Sequence, residues 1–121
     1  MEQKKILVVD DEKIIRKLFV QMLGKTYNVT TAESGEEAIE KIKQEKFDVV
    51  FIDVIKPGWD GVKTLKAIKE IDQQIPCIIM TGNAVDEKIH EAMQMKVIDY
   101  IYKPFGIENI ETIFAKFEKQ E

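Results

Sequence analysis

Short apolar, β-rich runs recur along the chain at Lys5 to Val9, Tyr27 to Thr31, Asp48 to Ile52, Cys77 to Met80 and Tyr100 to Tyr102. Several are apolar throughout rather than alternating, the pattern of strands covered on both faces, as in parallel sheets. Between them the period changes. Ile15, Leu18, Phe19 and Met22 recur at three- and four-residue steps and predict a first helix from about Glu12 to Leu23. Ser34 followed by Glu37 reads as a capping box opening a second helix, with Ala38, Ile39 and Ile42 turned inward. Val62, Leu65 and Ile68 mark a third helix, Ile89, Ala92 and Met93 a fourth, and Ile110, Ile113, Phe114 and Phe117 a fifth. Alternating βα units with right-handed crossovers place helices on both faces of an open sheet, and five units are too few for an eight-stranded barrel. The expected fold class is α/β, a doubly wound five-stranded parallel sheet with five helices, as one domain over residues 1–121.

Composition narrows the function classes. The chain is 45% hydrophobic and 33% charged, enough apolar residues to fill a core without a metal or disulfide staple. A net charge of −4 and a pI near 5.2 argue against direct nucleic-acid binding, which draws on clustered Lys and Arg. Tyr102, Phe105 and the phenylalanines of the fifth helix therefore read as packing residues rather than base-stacking ones. Cys77 is the single cysteine, set in an apolar strand, which fits a reducing cytoplasm. No run approaches the ~18 apolar residues of a membrane span.

In an open parallel sheet the working site lies beyond the carboxyl ends of the strands. The first strand delivers Asp10 and Asp11 there, the third Asp53, the fourth Thr81 and the fifth Lys103. Two carboxylates ~4 Å apart repel by about 4 kcal/mol at an effective dielectric near 20, so three converging at one edge call for a cation. All-oxygen ligation suits Mg²⁺, with Mn²⁺ also acceptable. A carboxylate beside such an ion is a competent nucleophile toward phosphorus, and Lys103 and Thr81 add a charge and a hydroxyl for the transferred group's oxygens. Asp53 is the central candidate.

Val-Val-Asp-Asp-Glu at the first strand, Phe-Ile-Asp-Val-Ile-Lys-Pro-Gly-Trp-Asp-Gly at the third, Met-Thr-Gly at the fourth and Asp-Tyr-Ile-Tyr-Lys-Pro-Phe at the fifth together resemble the receiver domain of response regulators. The likeness runs from about Lys5 to Lys119, and is to the stand-alone chemotaxis and sporulation-relay members. It implies a flavodoxin-like sheet with strand order 2-1-3-4-5. It implies that Asp53 accepts a phosphoryl group from the phosphohistidine of a histidine kinase or phosphotransfer protein. Asp11, Asp53 and the backbone carbonyl of Ile55 would bind Mg²⁺, with Asp10 acting through water. Thr81 and Lys103 would hold phosphoryl oxygens, Tyr100 would be the switch aromatic, and the Lys103-Pro104 bond would be cis. Such a protein is a signalling phosphoacceptor rather than an enzyme on a separate substrate, is expected to be monomeric, and signals to a downstream protein without direct contact with nucleic acid or membrane.

The chain departs from the family pattern at Lys56, Trp59 and Lys96-Val97. Ile55 and Asn83 occupy the two positions that in this family flank the path of hydrolytic water, and apolar Ile55 predicts a long-lived acyl phosphate that Ile55→Asn shortens. His90 reads as an ordinary surface histidine. The rivals are an interaction module that works without phosphorylation and a receiver cut from a longer regulator. An Asp-nucleophile phosphatase is disfavoured by adjacent rather than alternate aspartates after the first strand. A flavin-phosphate site is disfavoured because Asp-Asp-Glu would repel the phosphate.

Overall fold

The computed structural model describes residues 4–53, 55–56, 59–82, 91–92, 94–95, 97, 99–102 and 107–119. Its strands are β1 (Lys5–Val9), β2 (Asn28–Ala32), β3 (Val49–Asp53), β4 (Ile55–Lys56), β5 (Trp59–Asp60), β6 (Cys77–Thr81) and β7 (Asp99–Tyr102). The helices are α1 (Lys13–Leu23), α2 (Gly35–Gln44), α3 (Gly61–Ile71) and α4 (Ile107–Lys119). Five strands form one parallel sheet in the order β2-β1-β3-β6-β7, the doubly wound order expected. The expected fourth helix falls largely outside the described residues; among those described, Glu91 and Ala92 carry helical backbone.

Alternation along the strands divides the core into two layers. Ile6 and Val8 of β1, Val49 and Phe51 of β3, and Ile78 and Met80 of β6 pack with Phe19 and Leu23 of α1 and Ile110 and Ile113 of α4. Phe19 and Phe51 meet in a tilted pair, ring centroids 4.8 Å apart. Leu7, Val9, Val50, Ile52, Cys77 and Ile79 face the other way, onto Ala38 and Ile42 of α2 and Val62, Leu65 and Ile68 of α3. Of the predicted inward faces, Ile15, Leu18, Met22 and Ile39 are half-buried, each at the margin of its helix's apolar stripe.

Ser34 caps α2 as expected, its Oγ accepting the Glu37 N–H at 3.1 Å. The Glu37 carboxylate reaches back to the Glu33 N–H at 3.3 Å, one residue earlier than in the usual reciprocal box.

β4 and β5 form a two-rung antiparallel hairpin, Ile55 opposite Asp60 and Lys56 opposite Trp59, outside the five apolar runs. Two-residue strands are too short to carry a periodic signal.

Candidate functional site

The register of the central strands converges on one edge. Val8 pairs with Phe51 and Val9 with Ile52, and Asp10 and Asp53 each follow directly on that last pair. Both continue the alternation of Val8 and Phe51, emerging on the α1 side of the sheet. Asp10 is 0% exposed and Asp53 1%, so neither is a solvated loop carboxylate.

The turn leaving β1 is built around Asp10. Its N–H donates to the Ala32 carbonyl at 3.1 Å, its own carbonyl accepts Arg16 Nη1 at 2.8 Å, and its Oδ1 accepts the Glu12 N–H at 2.8 Å. That last bond folds the chain back so that Glu12 comes alongside. One carboxylate oxygen from each of Asp10, Glu12 and Asp53 lies within 4.8 Å of the other two. Around one Mg²⁺, with ligands at about 2.1 Å, oxygens sit roughly 3 to 4.2 Å apart, so this spread is close to what a single ion spans. The donor set is all oxygen, and it fits a hard divalent cation.

Glu12 was missed as a site residue. Its signal was the unbroken Asp-Asp-Glu run, but which members of such a run come close to Asp53 depends on the turn, not on residue type. Asp11 is exposed and is not one of the three.

Thr81 ends β6 fully buried, one rung beyond the Asp53–Met80 pair. It shares the alternation of Cys77 and Ile79, so it belongs to the α2–α3 face. Half-buried Tyr100 packs on that same face with Met95 and Val97, and Tyr102 pairs with Thr81. Lys103 and the Lys103-Pro104 bond lie outside the described residues, as do His90 and Asn83; Ile55 takes part through its backbone in β4.

The architecture and this edge together define a doubly wound α/β domain with an oxygen-only acidic site at the carboxyl ends of its central strands. Residues 6–115 match the response regulator receiver domain model, and the chain belongs to that family. It is a receiver domain of two-component response regulators, whose signalling works by phosphorylation.

Among its relatives, Sporulation initiation phosphotransferase F of Bacillus subtilis (strain 168) is 35% identical over 118 residues, 97% of this chain and 95% of that protein. The transcriptional regulatory protein ZraR of Escherichia coli (strain K12) is 39% identical over 113 residues, 92% of this chain; the match spans only 25% of that longer protein. The chemotaxis protein CheY4 of Vibrio cholerae superposes with a TM-score of 0.87 at 29% identity, covering 95% of this chain and 98% of that one. A CheY-like receiver from Methanospirillum hungatei JF-1 gives 0.89 at 28% identity, covering 98% and 97%.

Proposed function

We propose that Asp53 is the phosphoacceptor, taking its phosphoryl group from the phosphohistidine of a histidine kinase or histidine phosphotransfer protein. The observation that carries this reading is the convergence of two buried carboxylates, Asp10 and Asp53, at the carboxyl ends of β1 and β3, with a Glu12 oxygen within 4.8 Å of both. An Asp53 carboxylate oxygen attacks phosphorus; the new O–P bond forms as the N–P bond breaks, and the imidazole leaves with the electron pair of that bond. Asp10, Asp11, Asp53 and the Ile55 carbonyl are the residues assigned to Mg²⁺, with Glu12 beside them; Mn²⁺ meets the same donor requirements. When bound, the ion supplies positive charge against the phosphoryl oxygens.

Thr81 and Lys103 take the remaining oxygens, and Tyr100 is the aromatic that follows Thr81 inward. The shared face of Thr81 and Tyr100 supports that coupling. Phosphorylation shifts the balance of two conformations only as far as the phosphate binds one better than the other. The output is contact with a downstream protein. The reading is of a cytoplasmic monomer, supported by the acidic balance and by a free, buried Cys77; among the described residues no helix is long and apolar enough to cross a membrane.

Incubation with acetyl phosphate and Mg²⁺, followed by intact-mass measurement, tests the assignment. One phosphoryl group is expected on wild type and none on Asp53→Ala. Equal addition to both moves the acceptor elsewhere, and no addition to either favours a module that works without phosphorylation.

A further inference from the structure

Arg16, one turn into α1, ties the acidic edge to the neighbouring loop. One guanidinium nitrogen donates to the Asp10 carbonyl at 2.8 Å, and the other faces Glu33 Oε2 at 3.7 Å across the turn between β2 and α2. Its side chain is 17% exposed, against 69% for Glu33. With the Asp10 N–H donating to the Ala32 carbonyl and its Oδ1 accepting the Glu12 N–H, Asp10 is held at three points, two on its backbone and one on its carboxylate. An aspartate has two side-chain dihedrals, so a fixed peptide leaves its carboxylate little freedom of direction.

We infer that Arg16 is a positioning residue for divalent-ion binding, fixing Asp10 through its carbonyl while Glu33 holds the second arm of the guanidinium away from the carboxylates. This rests on the metal reading above. The choice of arginine follows from geometry: a planar fork can hydrogen-bond one acceptor while presenting its charge to a second in another loop, which a lysine ammonium on a flexible stem does less well. The role of Glu33 follows from charge. An untethered cation at the Asp10 turn would compete with the metal for the carboxylates there, and tethering removes the competitor. Groups that orient a metal ligand typically change affinity about 10- to 100-fold when removed. Acting through a backbone carbonyl puts Arg16 at the low end.

The test is a titration of unphosphorylated ¹⁵N-labelled protein with MgCl₂, following the amide signals of Asp10 and Glu12. Arg16→Met is expected to raise the half-saturating Mg²⁺ concentration about tenfold, Arg16→Lys to recover part of that loss, and Lys17→Met, one residue along on the exposed face, to match wild type. Glu33→Gln, which keeps the arginine but loosens its second arm, is expected to weaken binding in the same direction and carries the test if Arg16→Met does not fold. A lowered Tm measured in EDTA with unchanged half-saturation in both Arg16→Met and Glu33→Gln overturns the inference, leaving Arg16 a structural staple. A wild type whose amides show no saturable response to Mg²⁺ overturns the metal reading itself, and this inference with it.

Discussion

Gly35 lies so close to Thr64 that a methyl group at Gly35 would meet the Thr64 hydroxyl and come within 3.2 Å of its Cβ and Cγ2. Gly35 opens α2 and Thr64 stands in the first turn of α3, so this contact sets how near the two helices approach over one face of the sheet. Gly35→Ala is expected to cost about 1–3 kcal/mol by overpacking, partly offset by a helix-propensity gain of up to about 1 kcal/mol. Calorimetry should show a lower Tm that Gly35→Ala/Thr64→Ala restores. An unchanged Tm in the single variant would mean that the helices move apart at no cost.

Glu37 is held below the ordinary 4.5, first by its hydrogen bond to Lys41, with further help from the Glu33 N–H; the ion pair to Lys41 is 3.0 Å long. Because the folded pKa is depressed, the stability Glu37 contributes is fully present above pH 4.5 and fades as pH falls through the lowered folded value. The Tm gap between wild type and Glu37→Gln should therefore be widest near neutrality and close in acid. The two side chains are 31% and 37% exposed, so the gap should be small and shrink with added salt. A gap that widens on acidification contradicts the assignment.

Much of this was legible from residue pattern because the strands are short, apolar and covered on both faces. β1 lies where its run of residues put it, while β2 and β3 are each shifted one residue toward the carboxyl end. For β2 the shift reflects pairing: Ala32 is drawn into the sheet beside Val9 and accepts the Asp10 N–H. For β3 and β6 the polar residues that end the runs, Asp53 and Thr81, are themselves strand residues, and that is what buries them. Glu12 was not legible. Its approach to Asp10 is made by one backbone hydrogen bond to an Asp10 oxygen, and nothing in the order Asp-Asp-Glu says which side chain the turn brings within reach of the buried pair.

Cys77 opens β6 with its side chain buried, and burial pushes its thiol up to about 11, with Lys69 opposing and Asp72 adding to the shift. A raised folded pKa means that the folded state keeps its proton where the unfolded chain has lost one. The contribution of Cys77 is therefore constant below pH 9 and declines as pH rises from 9 toward 11. Native protein should resist a thiol reagent at pH 8 and react only through opening, with a rate that climbs with urea. Cys77→Ala should show a shallower loss of Tm above pH 9 than wild type. Rapid stoichiometric labelling of the native state would contradict the burial.

Asp10 and Asp53 are both withdrawn from water with Glu12 close by, so without a cation they oppose each other at short range. Two unit charges ~4 Å apart at an effective dielectric near 20 repel by about 4 kcal/mol. Asp10→Asn removes one of those charges and keeps an oxygen to accept the Glu12 N–H. On the metal reading proposed above, this variant is expected in EDTA to melt several degrees above wild type, a neutral side chain outperforming the native carboxylate. Mg²⁺ at ten times its dissociation constant adds about 1.4 kcal/mol to wild type by mass action, and should add much less to the variant, so the two melting temperatures draw together as the ion is supplied. A variant that melts below wild type in EDTA, or gains as much from Mg²⁺, would show that the carboxylates are balanced by neighbouring protein groups rather than by a metal.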